Sequence, residues 1–116
     1  MLGVKIESKL DTIVGPESEV KGDISVRGSL RLDGRVEGNV SVMASLHTGK
    51  GSFVKGEVHC QDAVIAGRIE GNVTARGVIE VQGSGAVVGD IACRNLILDR
   101  NAFLDGRVTM SEEPAS

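Results

Sequence analysis

The chain has 116 residues, 41% of them hydrophobic, and a formal net charge of −3, which suits one soluble globular domain. Without Trp or Tyr and with two Phe, it lacks the basic stripe and the stacking aromatics of a nucleic-acid binder. No apolar run reaches the ~18 residues of a membrane span, and the N-terminus lacks the basic start and long apolar stretch of a signal peptide, so a cytoplasmic location is expected.

Residues 1–11 alternate apolar with charged residues and read as a tail or a first edge strand. A regular pattern then runs from Thr12 to Met110 as one domain, and residues 111–116, Ser-Glu-Glu-Pro-Ala-Ser, read as a short disordered end. Within the pattern a glycine sits six times between two aliphatic residues: Val20-Lys-Gly22-Asp-Ile24, Val36-Glu-Gly38-Asn-Val40, Val54-Lys-Gly56-Glu-Val58, Ile69-Glu-Gly71-Asn-Val73, Val87-Val-Gly89-Asp-Ile91 and Leu104-Asp-Gly106-Arg-Val108. The glycines are 16, 18, 15, 18 and 17 residues apart. That is too short for a helical repeat and fits one turn of a three-sided strand coil. Period-2 alternation over such short segments puts one face in and the other out, as only strands do. Val26, Val42, Cys60, Ala75, Cys93 and Met110 continue the inward set, and Leu30/Leu32, Ala63/Ile65, Ile79/Val81 and Leu96/Leu98 supply another wall.

A longer period overlies this one, because the run from Gly34 to Val40 recurs from Gly67 to Val73 with Ile69 in place of Val36. Gly49/Gly51 and Gly83/Gly85 mark an enlarged corner in alternate coils. Residues before the central glycines, Lys21, Glu37, Lys55 and Glu70, alternate in sign, which predicts attraction between stacked coils. Cys60 and Cys93 share a repeat position two coils apart. At about 4.8 Å per coil they lie roughly 10 Å from each other, too far for a disulfide, so they are expected to be reduced core residues.

No catalytic, cofactor or metal site is expected. His47 and His59 have no Cys or second His at ligand spacing, and no Ser-His-Asp cluster is visible. Gly83-Ser84-Gly85 and Gly49-Lys50-Gly51-Ser52 lack the spacing of nucleotide loops and read as corners. Arg35, Arg68 and Arg107 read as solvated side chains in separate coils. The enzymatic rival is a hexapeptide-repeat acyltransferase, suggested by Val14, Val20, Val26 and Leu32 at steps of six, but that register breaks after Gly34. A non-polymerising protein-binding solenoid is the other alternative.

The pattern thus predicts an all-β fold: a parallel β-helix of about six triangular coils whose ends carry no capping helix. Open strand edges invite a second copy of the chain. The expected polymer interface is Phe103, Leu104 and Val108 at the C-terminal end, and Val14, Val20 and Ile24 at the N-terminal end.

The run Leu32-Asp-Gly-Arg-Val-Glu-Gly-Asn-Val40, preceded by Thr12-Ile-Val-Gly15 and followed by Gly71-Asn-Val73 and Gly89-Asp-Ile91, closely resembles the bactofilins, bacterial cytoskeletal proteins, over about residues 12–108. The resemblance implies a right-handed helix, polymerisation without nucleotide, and a scaffold for cell shape, cell-wall synthesis or polar organisation. Cell-wall or polarity proteins would be its partners. It also implies attachment to the cytoplasmic face of the inner membrane through the N-terminus, here Met1, Leu2, Val4, Lys5 and Ile6. So short a tail with so few apolar residues would bind weakly per subunit, with avidity in a polymer. A plain disordered tail is the competing reading of the same residues.

Overall fold

In the computed structural model the chain winds into a three-sided solenoid of six coils, all strands parallel, with no helix among the described residues. The structure describes residues 11–110 in full and the backbone of residues 4–8. A first strand, β1 (Val4–Ser8), precedes the coils. The first face stacks β2 (Thr12–Val14), β4 (Leu30–Leu32), β7 (Ser45–Thr48), β10 (Asp62–Ile65), β13 (Val78–Val81) and β16 (Asn95–Leu98). The second stacks residues 19–21 of β3 (Glu19–Val26) with β5 (Arg35–Glu37), β8 (Phe53–Lys55), β11 (Arg68–Glu70), β14 (Ala86–Val88) and β17 (Phe103–Asp105). The third stacks residues 24–26 of β3 with β6 (Val40–Val42), β9 (Val58–Cys60), β12 (Val73–Ala75), β15 (Ile91–Cys93) and β18 (Val108–Met110).

The central glycines form a ladder at the corner between the second and third faces, all at φ between 135° and 149°. That region is closed to L side chains, and the stacking closes it a second time. A Cβ on Gly38, Gly56, Gly71, Gly89 or Gly106 would overlap the carbonyl oxygen of the glycine one coil below. The aliphatic residues two before and two after each glycine therefore turn inward from two different walls. Register pairs such as Val36↔Val54 and Val40↔Val58 stack like on like through the core. From the second to the fifth coil these side chains are almost wholly buried.

The other two corners account for the uneven glycine steps. Between the first and second faces, coils one, three, five and six carry turns closed by amides of Ser18, Ser52, Gly85 and Ala102 to carbonyls of Gly15, Gly49, Gln82 and Asp99, at 2.8–3.1 Å. Coils two and four bend directly, through Asp33-Gly34 and Ala66-Gly67. Between the third and first faces, coils three and five are one residue shorter. There, the amides of Gln61 and Asp62 both donate to the Ala44 carbonyl, at 3.1 and 3.5 Å, and those of Arg94 and Asn95 both donate to that of Gly77, at 3.0 and 3.2 Å.

Polar side chains brace the corners. The residue after the glycine accepts, through its side-chain oxygen, the amide one coil above: Asp23 from Asn39, Asn39 from Glu57, Asn72 from Asp90 and Asp90 from Arg107, at 3.1–3.3 Å. Thr48 and Ser52 are buried, yet the Thr48 hydroxyl oxygen accepts from Ala66 N at 3.2 Å and the Ser52 hydroxyl donates to Gly49 O at 2.7 Å. The sign alternation before the glycines yields one inter-coil pair among the described residues, Lys21–Glu37 at 4.0 Å. The closer pairs run along single strands, Arg35–Glu37 at 3.4 Å and Arg68–Glu70 at 2.9 Å. Arg has the reach to meet a carboxylate two residues on, so that contact replaces the expected ladder, and exposed pairs of this kind add little stability.

Candidate assembly interface

The two ends of the solenoid differ in how far their cores are closed. In the inward column Val14, Leu32, Thr48, Ile65, Val81, Leu98, the first five members are buried and Leu98 is 46% exposed. In the column Ile24, Val40, Val58, Val73, Ile91, Val108, exposure rises from 1% or less to 37% at Val108, and Met110, beyond the buried Cys93, reaches 59%. Leu96, Ala102 and Leu104 are half-buried around them. The C-terminal end is thus a cross-section of the core, apolar and open. Backbone groups are open there too. Amides of Gly38, Gly56, Gly71 and Gly89 each donate to a carbonyl in the coil above, as do those of Val40, Val58, Val73 and Ile91. The described chain has no seventh coil to accept from Gly106 and Val108.

The N-terminal end is partly closed. Val14 and Ile24 are buried and Val20 is half-buried. The edge of β3 on the third face is paired from below by β1, in the register Val4↔Gly22 through Ser8↔Val26. The segment read as a tail or first edge strand supplies a strand at this edge. On the other two faces of the first coil, β2 pairs with β4 and residues 19–21 pair with β5, both in the coil above.

The expected interface residues fall into two groups. Leu104 and Val108 belong to the open C-terminal cross-section, whereas Phe103 pairs with Ala86 and points outward from the second face, 53% exposed at the rim. Leu98 and Met110, absent from the expected set, are more exposed than Val108. Both stand in inward columns that the sequence pattern already gives, and what the pattern does not show is that these members lose their cover at the last coil. Met1 and Leu2 lie outside the described residues, as do the side chains of Val4, Lys5 and Ile6.

The remaining polar groups do not converge. His47 is exposed on the first face, and His59 on the third, its Nε2 3.9 Å from a Glu57 carboxylate oxygen. No three metal-binding side chains cluster among the described residues. Cys60 and Cys93 are buried and free, and burial, reinforced by the Asp62 charge, pushes the Cys60 thiol up to about 12. A depression of about 140 Å³, lined by Met43, His59, Gln61 and Arg76 among others, lies at the corner where coil three is one residue short. No helix of the described residues is long and apolar enough to cross a membrane.

A family model described as polymer-forming cytoskeletal matches residues 12–109, all but the last residue of the six coils. The chain belongs to the bactofilin family. Neither a curated protein nor a solved structure matched it. The bactofilin match begins at Thr12, the first residue of β2, and ends one residue short of the end of β18. The glycine ladder and both of its aliphatic columns therefore lie inside it, and β1 lies outside.

Proposed function

We propose that this bactofilin assembles end to end, without nucleotide, into filaments that scaffold cell shape, cell-wall synthesis or polar organisation. The observation that carries the reading is the core exposed at the last coil, through Leu98, Val108 and Met110. Burying the roughly half-exposed area of three such side chains gains about 1 kcal/mol each. That total falls short of the ~4 kcal/mol or more that association costs, so apolar contact alone does not hold a joint. The strand edges of the same coil supply the remainder, since a second copy continues the ladders on each face where it meets an open edge.

Self-association is thus the primary partnership. The cytoplasmic face of the inner membrane, reached through the N-terminal residues, and cell-wall or polarity proteins are the further partners in this reading. Negative-stain electron microscopy and sedimentation of purified protein free of nucleotide test the assembly, with pelletable filaments expected. Monomers alone at high concentration would refute it. Co-sedimentation with anionic liposomes tests the membrane contact, which is expected to be lost on deletion of residues 1–6. Equal sedimentation of the two forms removes that contact.

A further inference from the structure

Charge is laid out differently on the third face from the other two. On the first and second faces, arginines meet a carboxylate two residues on: Arg31 meets Asp33, Arg35 meets Glu37 and Arg68 meets Glu70, at 2.9–3.4 Å. The outward column of the third face, Ser25, Ser41, His59, Thr74, Ala92 and Thr109, holds no carboxylate, Lys or Arg. Charges stand at its two margins instead. Along the glycine corner are the exposed Asp23, Glu57 and Asp90, with Asn39 and Asn72 between them and Arg107 in the last coil. Along the opposite corner are the exposed Arg27, Arg76 and Arg94, with Met43 and Gln61 between them. Among the described residues these three arginines form no ion pair. The Asp62 carboxylate beside them is half-buried and accepts the Val78 amide at 2.8 Å.

We propose that the third face is a lateral interface, on which a second copy of the chain packs face to face with its solenoid axis parallel. A two-fold axis parallel to the solenoid lays the acidic margin of each copy on the basic margin of the other. With the coils level, Asp23 opposes Arg27 and Asp90 opposes Arg94, each pair formed twice. Glu57 then meets Gln61, Asn72 meets Arg76 and Arg107 meets Met110, so no row sets like charges together. A copy turned end for end lays the arginine ridge on itself. Apart from His59, the central side chains are small, which suits the ~10 Å spacing of sheets packed face to face.

Four residues across and six coils high, the face measures about 13 by 29 Å, or roughly 750 Å² over two copies. That is below the ~1,200 Å² of a stable pair, so isolated subunits pair weakly while filaments sum the contact. In filaments the proposal rests on the end-to-end reading above.

Charge reversal with cross-complementation tests it, by electron microscopy of filaments at low ionic strength and in ~1 M salt, where the screening length falls to about 3 Å. Wild-type filaments are expected to associate side by side at low salt and to separate in high salt. Arg27→Glu/Arg94→Glu filaments and Asp23→Lys/Asp90→Lys filaments should each stay single, and mixing the two should restore lateral association. Because the lysine variant loses the acceptors of the Asn39 and Arg107 amides, circular dichroism checks its fold. Asp23→Asn/Asp90→Asn, which keeps an acceptor oxygen, is expected to weaken association by about tenfold where the lysine variant does not fold. Single wild-type filaments at low salt overturn the proposal and leave the end-to-end joint standing. So do reversed filaments that associate like wild type, folded variants whose mixture stays separate, or association that survives high salt. Single filaments that instead bind anionic vesicles through Arg27 and Arg94 assign the ridge to a membrane and also overturn it. Wild type that forms no filaments refutes the end-to-end reading. The face contact then predicts dimers of the concentrated subunit by light scattering, and monomers there overturn it as well.

Discussion

Replacing Gly71 and Gly51 by alanine, one at a time, sets the two kinds of glycine in this fold against each other. Gly71 has φ +148°, and an added Cβ would overlap the carbonyl oxygen of Gly56. The backbone conformation alone costs a non-glycine residue about 1–3 kcal/mol. Relief of the overlap requires coils three and four to part at that corner, where Gly56 N donates to Glu70 O at 3.0 Å and Val58 N to Asn72 O at 2.8 Å. Losing one of those bonds adds about 1–3 kcal/mol, so Gly71→Ala is expected to cost on the order of 4 kcal/mol. Gly51 sits at a turn tip without a positive φ, and a Cβ added there would meet no atom within 4 Å. Gly51→Ala should be neutral or stabilising by about 0.4–1 kcal/mol through the unfolded chain. Urea titrations followed by circular dichroism, below the assembly threshold, give both values. A Gly71→Ala loss under about 1 kcal/mol, or equal losses at the two sites, would refute the stacked-glycine reasoning.

Met110→Glu places a charge on the open cross-section without touching a buried side chain, and is expected to abolish filaments while the β-sheet circular dichroism stays native; filaments at the wild-type threshold would exclude that surface. Phe103→Arg, at the rim and outside the core, is expected to weaken assembly and leave the fold unchanged, as read by the same sedimentation assay. Burial holds the Cys60 thiol above its ordinary 9.0, at about 12. Its contribution to stability is therefore complete below pH 9 and is lost as pH rises towards 12, by about 1.4 kcal/mol per pH unit. Comparing urea midpoints at pH 8 and 10 for wild type and Cys60→Ala checks this, and identical slopes in the two proteins would contradict it. Asn72→Ala leaves the Asp90 amide without its 3.1 Å acceptor and should cost about 1 kcal/mol in the same titration.

Much of the fold was legible in the sequence because a stacked solenoid repeats its constraints at fixed intervals. Each central glycine from Gly38 to Gly106 is required by the glycine beneath it, and each inward aliphatic by its register partner, so the same requirement recurs in every added coil. The enlarged corners at Gly49/Gly51 and Gly83/Gly85 were readable for the same reason. The Asx braces were less legible, because only the structure shows the side-chain oxygens of Asp23, Asn39, Asn72 and Asp90 accepting amides one coil above. Arginine reach along a strand likewise replaced most of the expected alternation between coils. At the ends, periodicity gives the column but not which members lose their cover. Leu98 and Met110 were visible as inward residues, and only the structure shows them open. The pairing of β1 with β3 lies outside the repeat, and no periodic signal marks it.

The account stands on the coil stack running on from one molecule into the next. X-ray diffraction from aligned, nucleotide-free filaments tests this directly, because strands stacked along the axis place a reflection near 4.8 Å on the meridian. The prediction is a sharp meridional reflection whose coherence length exceeds the roughly 29 Å that six coils span at that spacing. The same spacing on the equator, or a coherence length limited to one subunit, would mean that the molecules associate side by side and that the open end is not the joint.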